Sequence, residues 1–230
     1  MKKKAALLLA AVMTFSLGTT AMAAPSPAIT TRSVRQVVVN PSIGGDSRTV
    51  SLSGQQTATL PGTTFVTAGG QTVDAAAVAL RSAPSSVQEA QEAAASLVSA
   101  IASGDMRILN FTGQKALSLT DAAGNLNIVN HMSIGLSTAS GEAVSQNGSI
   151  SAAFALSDIL GERTLQEGET VQALYRRADG TWAAVPVVII NGAIAIALPA
   201  FSGAVNVTFV VAQGTPSSTV SASAAVSPAT

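Results

Sequence analysis

Residues 171–198 read VQALYRRADGTWAAVPVVIINGAIAIAL, and this stretch decides the fold. It holds β-type runs separated by Asp179-Gly180 and Asn191-Gly192, the strongest short-range hairpin signals, because a two-residue type I′ turn needs positive φ at both central positions. Read as two-residue turns, they set the register. Arg177 falls opposite Trp182, Tyr175 opposite Ala184 and Leu174 opposite Val185; Ile189 falls opposite Ile194 and Val187 opposite Ile196. Strand alternation then gives one core face, made of Leu174, Val185, Val187, Ile189, Ile194, Ile196 and Leu198. The opposite face carries Tyr175, Arg177, Trp182, Ala184, Val188, Ile190, Ala193, Ala195 and Ala197, and it is not polar. Either the helix or the N-terminal strands cover it, or it is an exposed patch for a protein partner, glycan or fibre contact. In the second case Tyr175, Arg177 and Trp182 form the candidate binding patch, with Arg177 stacked on Trp182. Pro186 marks an edge or a bulge, since it cannot donate to a ladder.

The pattern extends outward. Asn147-Gly148 is a third hairpin signal, and short β-type runs fill Met106–Phe111, Ala116–Thr120, Leu126–Val129, Met132–Ser137 and Val205–Val211. Before them, Val34–Val39, Thr49–Leu52, Thr57–Leu60 and Thr63–Thr67 read as strands, and Ala75–Leu80 reads as a short helical turn capped by Asp74. One amphipathic helix is expected over 85–103. Ser85 or Ser86 caps it, Glu89 sits in its first turn, and Gly104 ends it. Val87, Ala90, Ala94, Leu97, Val98 and Ile101 form its apolar stripe. The expectation is a mainly β (α+β) chain with an antiparallel β-sandwich in its C-terminal half. Strands plus helix occupy 34–104, the β-sandwich 105–212, a linker 24–33, and a disordered Ser/Ala-rich tail 213–230.

Residues 1–23 read as an export signal. Lys2, Lys3 and Lys4 precede an apolar run over Ala5–Leu17, and Ala21-Met22-Ala23 is a small-x-small cleavage site. The full chain balances 12 basic against 12 acidic side chains. Cleavage after Ala23 removes three lysines and leaves the mature chain near −3. No later run reaches the roughly 18 apolar residues of a membrane span, so no transmembrane segment is expected after cleavage, and the destination is secreted or envelope-associated. There is no basic excess to neutralise phosphates, which argues against nucleic acid as a partner. Cysteine is absent, which excludes disulfides, thiol nucleophiles and thiolate metal sites.

Few residues offer chemistry. Lys115 and His131 are the only lysine and histidine after residue 23. A zinc site with two histidines is excluded, no GxSxG elbow surrounds a serine, and SxxK is missing around Lys115. His131 therefore reads as a hydrogen-bonded structural residue. Glu89 and Glu92 lie three apart on the polar side of the helix. The densest charge is in 158–169, with Asp158, Glu162, Arg163, Glu167 and Glu169. It lacks the spacing of a calcium loop and reads as a solvated loop, with a carboxylate-pair hydrolase of glycan or wall polymer as the alternative. No cofactor or metal is implied.

Residues 156–211 carry an ordered set of turn and core positions: Gly168, Val171 and Leu174-Tyr175, then Asp179-Gly180-x-Trp182, Asn191-Gly192 and Ala200-Phe201-Ser202-Gly203. This resembles the immunoglobulin-like β-sandwich modules of secreted Gram-positive surface proteins. The resemblance covers about a quarter of the chain. It implies a sandwich and a spacer, adhesion or binding role, and it transfers no site residue. The functional expectation is an exported, non-catalytic structural or binding protein, whose partner would be a glycan, wall polymer or protein. A further alternative is a polymerising fibre subunit in which Val205–Val211 is an edge strand completed by a neighbour.

Overall fold

The computed structural model describes residues 36–39, 48–51, 57–108 and 118–213. The expected signal segment 1–23, the linker 24–33 and the tail beyond Gln213 lie outside them, as do Lys115 and parts of the first strands. The described chain is mostly β. Its strands are β1 (Val37–Val39), β2 (Arg48–Ser51), β3 (Thr57–Thr59), β4 (Thr64–Thr67), β5 (Thr72–Val73), β6 (Val78–Pro84), β7 (Met106–Ile108) and β8 (Leu126–Thr138). They continue with β9 (Val144–Asn147), β10 (Ile150–Ala155), β11 (Glu169–Arg176), β12 (Trp182–Val185), β13 (Val187–Ile190), β14 (Ala193–Leu198) and β15 (Ala204–Gln213). Two α-helices, α1 (Val87–Ser103) and α2 (Leu156–Leu160), complete the set with a 3₁₀ turn at Ala75–Ala77.

Three sheets form. The largest has the order β2-β6-β8-β15-β11-β12-β7, with β1 added in parallel to the first part of β8. A four-stranded sheet runs β13-β14-β10-β3, and a three-stranded one runs β5-β4-β9. Strands from before residue 105 pair with later strands in all three sheets: β6 with β8, β3 with β10 and β4 with β9. These pairings cross the expected boundary at 104/105.

The helix forms for the reasons its sequence suggests. The Ser86 Oγ accepts from the Glu89 N–H at 3.2 Å, and the Glu89 carboxylate accepts from the Ser86 N–H at 2.7 Å. The Ser86 N–H and the Ser86 Oγ–H (2.8 Å), both donating to that carboxylate, hold the Glu89 carboxyl below its ordinary pKa. Gly104 closes the helix in the left-handed region at φ 78°. The buried stripe is Ala90, Ala94, Leu97, Ala100 and Ile101, whereas Val87, at the end of the expected stripe, is 40% exposed.

The strand β8 joins two runs that the sequence reads separately. Phe209 lies opposite Asn130 while Val210 lies opposite Ile128, so Val129 is an extra residue, a β-bulge. The extra residue reverses which side chains face which way. Leu126 and Ile128 join the helix-side core, and Ile134 and Leu136 join the other. The larger core also takes Phe65 and Val144 from the three-stranded sheet, and Ile150, Ala152, Ile194 and Ile196 from the four-stranded one. The smaller lies between α1 and the large sheet, around Leu97, Leu174, Trp182, Ala184 and Val210.

Of the three hairpin signals, Asn191-Gly192 behaves as read. Both residues have positive φ (49° and 75°), and Ile189 pairs with Ile194 and Val187 with Ile196. Asp179-Gly180 does not. Leu174 pairs with Ala184, Tyr175 with Ala183 and Arg176 with Trp182, one residue off the expected register. Only Gly180 has positive φ, and the closing bonds run from the Arg177 N–H to the Thr181 carbonyl (2.8 Å) and from the Gly180 N–H to the Arg177 carbonyl (3.0 Å). This is a three-residue loop with a glycine bulge. Asn147-Gly148 makes no hairpin at all: β9 pairs with β4, and β10 with β14 and β3. Gly148, at φ 116°, lets the chain pass tightly by Thr63, where an added Cβ would stand 2.7 Å from the Thr63 Cα. Pro186 separates β12 from β13, where the chain leaves one sheet for another. The expected helical turn is confined to Ala75–Ala77, because Val78 and Leu80 point into the core as part of β6.

Candidate functional site

The one-residue shift at Asp179-Gly180 dismantles the expected patch. Trp182 is 2% exposed beneath α1, and its indole Nε1 donates to the Ser96 Oγ at 3.2 Å. Tyr175 is buried on the opposite side of the same sheet, in the larger core. Arg176, not Arg177, lies opposite Trp182, and the Arg176 Nε donates to the Gly180 carbonyl instead. Arg177 is half-buried at the loop. Tyr175, Arg177 and Trp182 are therefore not a shared surface. The signal that marks the longer loop is Thr181: the Asp179 Oδ1 accepts from both its N–H (2.9 Å) and its Oγ1 (2.6 Å), an Asx-type turn that holds the bulge.

The acidic segment also resolves. Asp158, Glu162 and Glu167 are exposed, while Glu169 is buried at the start of β11. The Glu169 carboxylate accepts from Arg163 Nη2 (3.1 and 3.2 Å), the Ala122 N–H (3.2 Å) and the Gln166 N–H (3.0 Å). Its acidic neighbour is Asp121, which sequence reasoning did not single out. Asp121 is also buried, lies 3.8 Å from Arg163 Nη2, and accepts from the Ala123 and Asn125 N–H groups, both at 2.9 Å. Every donor here comes from the protein itself, so the group knots the loop 121–125 to the loop 161–168. Among the described residues no group of three or more His, Asp and Glu side chains is placed to hold a metal ion.

His131 is buried opposite Thr208, its Nδ1 2.8 Å from the Thr208 Oγ1, and its carbonyl accepts from the Ser85 N–H just before α1. Burial pushes its pKa below the ordinary value, and the Glu89 carboxylate partly opposes this. The unfolded chain then takes up a proton at a higher pH than the folded one. Stability associated with His131 is full above the ordinary pKa of about 6.5 and falls as pH drops below it. Thermal unfolding followed between roughly pH 7.5 and 5.5 should show this loss, and His131→Gln should flatten that part of the profile.

The four-stranded sheet is apolar on both sides. Its inner side chains, Ile150, Ala152, Val187, Ile194, Ile196 and Leu198, belong to the larger core. Alternation turns Val188, Ile190, Ala193, Ala195, Ala197, Ala153 and Ser151 to the other side, where Ala195 and Ser151 are buried and the rest are half-buried. No residue of this sheet belongs to the core under α1. The helix covers Trp182 and Ala184 but not the alanine row, so it does not cover the whole apolar face. The 19 residues of β3, β10, β13 and β14 include no charged side chain.

Among the described residues no helix is long and apolar enough to cross a membrane. No protein family, curated protein or solved structure matches the chain.

Proposed function

We propose that this chain is an exported, non-catalytic structural protein of the bacterial cell surface or extracellular space, with the two larger sheets packed as an immunoglobulin-like β-sandwich. The observation that carries the reading is the four-stranded sheet, whose strands hold no charged side chain. Such a sheet offers nothing to polarise a bond or hold a proton. The buried ionisable groups support the same reading. Asp121, Glu169 and Arg163 engage one another and nearby backbone N–H groups, and His131 engages Thr208. A carboxylate-pair hydrolase needs two acids facing a cleft about 5–10 Å apart. Here Glu169 is committed to Arg163, and Glu162 and Glu167 are exposed. Against the fibre alternative, β15, which contains Val205–Val211, is not an edge strand but pairs with β8 and β11.

Fractionation of the producing cell with N-terminal sequencing tests the proposal. The expected product starts at Ala24 and is found in the envelope or medium. A cytoplasmic product retaining residues 1–23, or polymer hydrolysis abolished by Glu169→Gln, would overturn it.

A further inference from the structure

We propose that His131 is an acid-sensitive latch at the start of α1: when its imidazole takes up a proton, the first turn of the helix leaves the sheet while the rest of the helix stays docked. The placement of the ring carries the inference. Val207 and Phe209 point into the larger core, so alternation puts Thr208, and His131 opposite it, on the helix side of the large sheet. There His131 is 3% exposed and Thr208 fully buried, with Nδ1 and Oγ1 2.8 Å apart. The His131 carbonyl accepts from the Ser85 N–H at 3.0 Å, so the chain enters α1 beside the buried ring.

An imidazolium is badly placed at this point. It is shut off from water, and it stands at the positive end of the helix dipole. The groups around it do little to offset this. β15 brings Thr208, with Asn206 and Val210 on the same side, and none is charged. β6 brings Ala83, while Arg81 lies opposite Gly135, four residues along β8 from His131. From α1, the Glu89 carboxylate is the one charge that favours the protonated ring, and it is already engaged by the Ser86 N–H and Oγ; Glu92, one turn on, accepts from Gln88. The turn itself is lightly held. Residues 86–89 are all exposed, the capping box is internal to them, and the first buried residue of the helix is Ala90. Freeing one turn therefore uncovers little apolar surface, whereas the middle of α1 is fixed through Leu97 and Trp182.

Hydrogen exchange on the full chain at pH 7.5 and 5.5, with each rate divided by the intrinsic rate at that pH, tests the latch. The reporting amides are Ser85, bonded to the His131 carbonyl, and Ala90, bonded to the Ser86 carbonyl at 3.1 Å; Asp105, bonded to the Ala100 carbonyl at 2.9 Å, reports the far end of the helix. Protection at Ser85 and Ala90 should fall by about tenfold between the two pH values, the factor by which an exposed imidazole of ordinary pKa gains from proton binding over that span. Asp105 protection and the emission of the chain's one tryptophan, Trp182, should stay unchanged. His131→Gln should remove the pH response. The chain has a single histidine, so its ring can also be titrated in the wild type by NMR, a readout that needs no variant to fold. Ring protonation without loss of protection at Ser85 and Ala90, a response retained in His131→Gln, or an equal loss at Asp105 would each overturn the proposal.

Discussion

Replacing Trp182 with alanine should lower the unfolding free energy by about 3–5 kcal/mol, the range for deleting a fully buried large aromatic side chain. The residue is 2% exposed and sits among Ala90, Ala94, Leu97, Leu174, Ala184 and Val210, so little of the space it leaves can be refilled by larger neighbours. Its removal strikes the attachment of α1. Most of a helix's stability in a protein comes from the face it buries. Here that face is mainly alanine, with Leu97 its one large fully buried side chain, and it meets Trp182, Leu126, Ile128 and Leu174 in the same core. Losing the hydrogen bond alone, in Ser96→Ala, should cost only about 0.5–1.5 kcal/mol. Trp182→Phe should fall between the two. Urea unfolding measures all three, and hydrogen exchange of the α1 amides should accelerate most in Trp182→Ala. A loss in Trp182→Ala no greater than in Ser96→Ala would mean that α1 is not held through this residue.

The burial of Trp182 also marks where sequence patterning stops being sufficient. The capping box at Ser86 and Glu89 is legible because all its partners lie within four residues. Asn191-Gly192 is legible because the turn closes between adjacent strands. Asp179-Gly180 has the same local signature, yet the Thr181 contacts to the Asp179 carboxylate lengthen its loop, and one residue of register exchanges Tyr175 and Leu174 between the two cores. Asn147-Gly148 shows a different limit. A turn dipeptide specifies a bend, not which strands then pair, and the flanking strands here enter different sheets.

Long-range chemistry was hardest to read. Glu169 stands in a run of acidic residues that looks solvated, and the residues that bury it include Asp121 and Ala122, 47 or more positions earlier. The alanine row was legible as an apolar face from its alternation alone. That the helix covers a different sheet depends on the crossing at Pro186, which periodicity does not encode.

Arg163→Ala should be destabilising by about 3–5 kcal/mol, because it strands a buried carboxylate. The Glu169 side chain is 1% exposed, while that of Arg163 is 26% exposed. The pair is therefore unequal. Without the guanidinium, Glu169 keeps only the Ala122 and Gln166 N–H groups in a site that water barely reaches. Without the carboxylate charge, Arg163 can turn to solvent, so Glu169→Gln should cost less than Arg163→Ala. The double variant should be more stable than Arg163→Ala alone, a non-additivity expected of groups in contact. Arg163→Lys should recover much of the loss, since both contacts to Glu169 come from one nitrogen, Nη2, and the buried Nε has no partner to lose. Denaturant unfolding of the four variants decides the matter. Equal losses for Arg163→Ala and Glu169→Gln would show that the carboxylate is not the buried partner. A full loss on Arg163→Ala without recovery in the double variant would show that Arg163 acts through packing of its alkyl stem rather than through its charge.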